Sequence, residues 1–243
     1  IRAPWRTIFT SKLMEAKNLL KLMHLEWSKL KQLSIIGEVI IYWFILMFIP
    51  VLFLKVVMPY FAESYASAID LNLHIQMGLV LFGGSLIVQV FIDEYKNKTM
   101  ALSFGYPISR NKLFMAKVLF ISLFIFLTTM ISFILTGFSI YLLDQFFPLI
   151  NGQPTTSDLI SYLQQMLIGS FIITLTSFIP LFIFGIWRRA TIPTIICALV
   201  VMNSPKIPAI LGWNENLFLA IMCILGAASI YLSIKAARSL GDI

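Results

Sequence analysis

LFMAKVLFISLFIFLTTMISFILTGFSIYLL, residues 113–143, carries one charged side chain, Lys117, over its whole length. An α-helix rises 1.5 Å per residue and a bilayer's hydrocarbon core is about 30 Å thick, so about 20 mainly apolar residues make one crossing. This stretch exceeds that requirement, and tilting or helical continuation beyond the bilayer accommodates the excess. A helix this long with no polar face belongs inside lipid or a large core, and the rest of the chain decides for lipid.

Outward from it, five further apolar runs are long enough to be spans: residues 35–58, 73–92, 163–186, 191–210 and 217–234. The 243 residues are 59% hydrophobic and 12% charged, with mean hydropathy +0.91. A soluble domain is about a quarter charged, and no water-soluble fold of this size hides so much apolar surface. The expected fold class is therefore all-α: a polytopic membrane protein with six transmembrane helices and an N-terminal amphipathic interfacial helix. Residues 1–34 would form a cytoplasmic arm carrying that helix, and residues 35–243 the six-span transmembrane domain. The fifth run is the weakest, because it holds Pro193, Asn203, Ser204, Pro205, Lys206 and Pro208. It is expected to stop near Met202 and continue as an irregular or re-entrant segment.

The formal charge of +7 would suggest nucleic acid if it lay on one soluble face, but here it is distributed between apolar runs. With six spans and both termini cytoplasmic, all of the 18 basic residues except Lys55 and Lys206 fall on the inner side, as the positive-inside rule requires. Glu63, Asp70, Asp144, Asp158 and Glu215 then lie outside. No cleavable signal peptide is expected, so insertion would rely on the first span. Cys197 and Cys223 sit in apolar segments and read as small packing residues rather than as a disulfide framework.

Two segments could carry function. Residues 14–33 have Ala16, Leu19, Leu20, Met23, Trp27 and Leu30 on one helical face, with a mostly polar face opposite. Trp27 suits the headgroup zone, and Lys17, Lys21, Lys29 and Lys31 suit an anionic leaflet. The segment reads either as a simple surface anchor or as a support for a cytoplasmic partner. Between the second and third spans, Asp93, Glu94, Tyr95 and Lys96 open a polar stretch that passes Thr99 and Leu102 and reaches Pro107, Ser109 and Arg110. Its acidic start and the break at Gly105 to Pro107 suit a short helix at the inner face, with Ser109 capping the third span. A plain loop fits the same spacing.

This second segment resembles the inner segment of the membrane subunits of type 2 ABC exporters: an acidic residue, a Gly-Thr pair, a leucine, then Pro-x-Ser-Arg. The matching residues are Glu94, Thr99, Leu102, Pro107, Ser109 and Arg110, with Lys98 where the family usually has glycine. The resemblance implies a permease that binds separate ABC ATPase subunits through residues 93–106 and the N-terminal helix. It also implies a second permease copy or a paralogous permease beside it. The chain itself would hold no cofactor; ATP and Mg would be bound by the ATPase. Small subunits of this kind resemble bacterial permeases for antimicrobial peptides, lantibiotics or drugs in the cytoplasmic membrane. The implied cargo is hydrophobic or amphipathic, with drug, ion and lipid or polysaccharide export as alternatives.

The residues agree that ATP chemistry lies elsewhere. There is no phosphate-cradling G-x-x-x-x-G-K-[ST], and Gly83-Gly84-Ser85 lacks the lysine, so these small residues read as close-packing positions. Within the spans, Glu38 is the candidate for a membrane-embedded functional charge, and Lys55 can snorkel. An ion-gradient transporter using Glu38, or a non-transporting membrane sensor, are the competing readings. No catalytic residue and no metal site are expected: His24 and His74 belong to opposite ends of the topology, H-E-x-x-H is absent, and no serine has a convincing base.

Overall fold

The structure, a computed structural model, describes residues 19–57, 64–97, 110–147, 150 and 155–239. Helix α1 covers residues 19–29, and after a break at 30–31 the chain enters α2, Gln32–Leu52. Then follow α3, Tyr65–Gln76; α4, Leu79–Ile87; and α5, Asp93–Lys96, joined to α4 by a wide π turn at Val88–Ile92. The long stretch first quoted becomes α6, Arg110–Phe146. Helix α7, Thr156–Ser177, is followed by another π turn, Leu181–Trp187, as α2 is by one at Phe53–Val57; α8 is Thr191–Asn203, α9 is Ile207–Leu211 and α10 is Glu215–Ser239.

Five helices among the described residues are long and apolar enough to cross a membrane: Gln32–Val56, Tyr65–Lys96, Asn111–Phe146, Thr156–Ser177 and Glu215–Ala236. Residues 191–210, the fifth of the six expected runs, form no single span: as expected of a run that stops near Met202, they divide into α8, a 3-10 turn at Ser204–Lys206 and α9. The cause is the one the sequence carries: Pro205 and Pro208 withhold N–H donors, and Gly212, at φ 67, ends α9 in the left-handed conformation. The helix stops at Asn203, one residue from the expected point.

Tyr65–Lys96 is the middle of the bundle. In its most apolar window 72% of residues are buried, against 22% for the first and last spans. Leu79, Val80, Phe82, Leu86, Ile87, Phe91 and Ile92 are all fully enclosed, so the stretch 79–92 presents apolar side chains on most sides, as a helix surrounded by others does. Its small residues permit the enclosure. A Cβ on Gly83 would lie 2.5 Å from the Ser177 Cβ, and one on Gly84 2.7 Å from the Ala198 Cβ, so α7 and α8 meet α4 almost backbone to backbone. Gly226 is tighter still: a Cβ there would fall 2.0 Å from the Leu175 carbonyl oxygen, locking α10 against α7.

Many buried polar groups within the spans find partners, Gln165 Oε1 and Ser233 Oγ being exceptions among the described residues. Gln76 of α3 donates to Thr136 Oγ1 at 2.8 Å and accepts from Ser132 Oγ at 2.7 Å, both on α6. Asn72 donates to the Tyr162 hydroxyl at 3.2 Å, which in turn donates to the Phe133 carbonyl. Trp43 Nε1 donates to the Thr128 carbonyl at 3.0 Å, fixing α2 to α6.

Candidate functional site

One end of the bundle gathers the basic residues, and there four ionic side chains from three elements meet. Lys117, on the second turn of α6, is 1% exposed. Its Nζ lies 2.8 Å from Glu26 Oε2 on α1 and 2.8 Å from Glu94 Oε2 on α5. It also donates to the Val90 carbonyl at 3.1 Å, inside the π turn, and sits 5.7 Å from the centre of the Phe91 ring. Lys29 closes the group, 2.8 Å from Glu26 Oε1 and 3.7 Å from Glu94 Oε1.

Among the described residues, these two glutamates and two lysines balance in charge. A buried ammonium is tolerable only when paired and hydrogen-bonded, and Lys117 has two carboxylates and a carbonyl around it. Val90 lies in the π turn, where carbonyls depart from the i+4 N–H pairing of an α-helix, and its oxygen accepts this bond. For Lys29, partial burial pulls the ammonium pKa down, but the hydrogen-bonded Glu26 and the nearby Glu94 more than offset it, and the net direction is up. Its share of the tie is therefore fully present below the ordinary lysine value and is lost only as pH climbs through the raised one.

Packing around the cluster comes from α1. Trp27, expected in the headgroup zone, lies against the Phe120 and Phe124 rings of α6 at 6.0 and 5.4 Å between centroids. Leu22 is buried with Leu113 and Ala116, whereas Leu20, expected on the apolar face, is exposed. The buried face is thus turned toward Leu22 and Glu26. Lys21 and Lys31 are exposed, as a helix at a lipid surface would leave them. Lys17 lies outside the described residues.

A second tie holds the other side of α5. Arg189 places its guanidinium 4.1 Å from the centre of the Tyr95 ring, and Lys96 Nζ donates to Thr191 Oγ1 at 2.5 Å. Arg189 has φ 51, the left-handed conformation that costs a non-glycine residue about 1–2 kcal/mol. The short linker between the π turn at Leu181–Trp187 and α8 is held in that conformation against α5. Asp93 is half-buried in the first turn of α5.

Of the residues singled out from the sequence, Glu94, Tyr95, Lys96 and Lys29 are thus brought together at one end. Thr99, Leu102, Pro107 and Ser109 lie outside the described residues, and Arg110 enters only as the first residue of α6. Glu38 stands apart, deeper in the bundle, where it accepts from Gln89 Nε2 at 3.2 Å; Gln89 also donates to Ser85 Oγ at 3.1 Å. Sequence reading missed Glu26 and assigned Lys117 merely to the inner rim. The available signal was Lys117 itself, a full turn inside an otherwise apolar run.

The arrangement can hold α1, α5 and α6 as one body and transmit a push on α5 into the long α6. Residues 22–204 match the profile of the family described as "ABC-2 family transporter protein". The chain is also similar to "Uncharacterized protein YcbO" of Bacillus subtilis (strain 168), 33% identical over 162 residues, which are 66% of this chain and 69% of that protein. No solved structure matches it.

Proposed function

The chain belongs to the ABC-2 transporter family as a multi-pass membrane permease, and from that premise we propose that it exports an amphipathic peptide, driven by separate ABC ATPase subunits. The observation that carries this reading is the Glu26–Lys117–Glu94 cluster. A transducer needs a rigid connection between the surface an ATPase moves and the spans that must respond, and a buried, charge-balanced junction of α1, α5 and α6 supplies one.

In this reading both termini and the basic end of the bundle face the cytoplasm of a bacterial cell, and residues 93–106 with α1 form the ATPase docking surface. ATP and Mg are held by that partner. Two permeases, identical or paralogous, stand side by side. Asp93, Glu94, Tyr95 and Lys96 take the thrust of ATPase closure, with Thr99, Leu102, Pro107, Ser109 and Arg110 completing the segment. Glu38 serves the response within the membrane. The apolar spans with a polar seam suit a cargo that is itself part apolar and part polar.

Co-purification with a candidate ATPase, followed by reconstitution, tests the proposal. Export of a labelled amphipathic peptide from vesicles should require ATP and should fall at least tenfold in Glu94→Lys. Peptide movement driven by an ion gradient without ATP, or a stable chain that binds no ATPase, would overturn it.

A further inference from the structure

At the end of the bundle opposite the basic cluster, a lateral groove of about 390 Å³ opens between α3, α6 and α7. That volume is within the range of small-ligand sites. Its mouth is made by exposed apolar side chains, Ile134 and Phe138 on one side and Leu159 and Leu163 on the other. Its floor holds Asn72 and Tyr162. From Tyr141 to Ile134 along α6 the groove runs about 10 Å, from the level of the helix ends into one leaflet.

The chemistry differs between floor and lip. On the floor, Asn72 donates to Tyr162 and accepts from Gln76 Nε2 at 3.4 Å, while Tyr162 donates to Phe133. These groups are committed to each other, so the depth of the groove asks for a guest without polar atoms. At the lip stands Asp158, the solvent-facing N3 residue of the α7 capping box, whose Oδ2 accepts from Thr155 N and Oγ1 at 3.0 and 2.6 Å. The Tyr65 hydroxyl is committed to a second carboxylate, Asp144, at 2.6 Å. Among the described residues no lysine or arginine lines the groove; Lys55 lies over the Phe147 ring.

We propose that this groove binds a single-tailed amphiphile with a cationic head, the tail between α6 and α7 and the head at Asp158. On the export reading above, an amphipathic peptide carrying a cationic group beside an apolar chain would present the same chemistry, but the binding site does not depend on ATP or on transport. A neutral or anionic head would meet the same apolar walls without the carboxylate's attraction, so selection lies at the lip and not along the tail.

The test uses the full chain in lipid nanodiscs and three photoreactive probes: dodecylamine, dodecanol and dodecanoate, each with a diazirine near the chain end. Labelled residues are mapped by mass spectrometry. The amine should label the groove floor, Ala68, Gly137 and Met166, about fivefold more than the alcohol, the modest preference expected of a solvent-facing charge pair. Asp158→Asn should equalise amine and alcohol, and Leu163→Trp, which fills the mouth from an exposed position, should lower floor labelling by all three. Labelling of the floor no stronger than that of the lipid-facing sides of α2 and α10, or equal labelling by amine and carboxylate, would overturn the site. Amine-selective labelling without ATP-driven export would leave the groove standing and sink only the export reading; export without selective labelling would do the reverse.

Discussion

Lys117 and Glu26 stand 91 positions apart in the chain, yet their Nζ and Oε2 atoms lie 2.8 Å apart at a junction where they are 1% and 3% exposed. No local periodicity brings them together; the docking of α1 across the start of α6 does.

Removing one partner of such a pair leaves a buried charge uncompensated. Lys117→Met should destabilise the protein by up to about 3–5 kcal/mol, because Glu26 and Glu94 would then share only the more exposed Lys29. Glu26→Met combined with Lys117→Met should recover much of that loss while still uncoupling α1 from α6. Thermal unfolding in nanodiscs, read as a double-mutant cycle, should give an interaction of at least about 1 kcal/mol. Additive losses would show that the pair is not a unit.

Arg189 combines a strained backbone with a ring contact, and the two can be separated. Arg189→Gly should relieve about 1 kcal/mol of backbone strain, yet free Tyr95 and, on the proposed ATP-driven reading, weaken the response of the spans. Stability unchanged or raised, with ATP-driven transport reduced, is the expected pattern. Transport equal to wild type would show that the ring contact is dispensable.

Glycine substitutions should separate packing from helix propensity. Gly226→Ala brings a methyl onto the Leu175 carbonyl and should cost about 1–3 kcal/mol, whereas Gly37→Ala, with open space around it, should be neutral or slightly stabilising. Unfolding midpoints of the two variants make the comparison.

Gln76→Leu removes the central member of the polar seam between α3 and α6. Thr136 already donates to the Ser132 carbonyl, so part of the loss is compensated, and about 0.6–2 kcal/mol is expected. A larger drop in midpoint would mean that the seam orders the bundle beyond its pairwise bonds.

The crossing helices were legible because bilayer thickness acts on every residue of a run, which leaves a signal some 20 residues long. So was the interruption after Met202, since Pro205 and Pro208 act locally. The ionic junction was half legible. Glu94 and Lys29 stood out as polar residues at membrane ends, but Glu26 lay on a helix whose apolar stripe was read one position away from the side that docks. Leu20 and Leu22 are chemically alike, and only the surface they meet decides which is buried. The π turn at Val88–Ile92 left no mark, being built from Val, Gln, Phe and Ile with neither proline nor glycine.

That turn sets the azimuth of everything after it. A residue advances about 100° around an α-helix, so the extra residue a π turn accommodates rotates the following side chains by about that angle relative to an uninterrupted helix. Glu94 faces Lys117 because of this phase offset. Deleting one residue between Val88 and Ile92 would leave composition and apolarity almost untouched while swinging Glu94 away from the junction. The chain thus stores the aim of its charged segment in a residue count, a property to which hydropathy is blind.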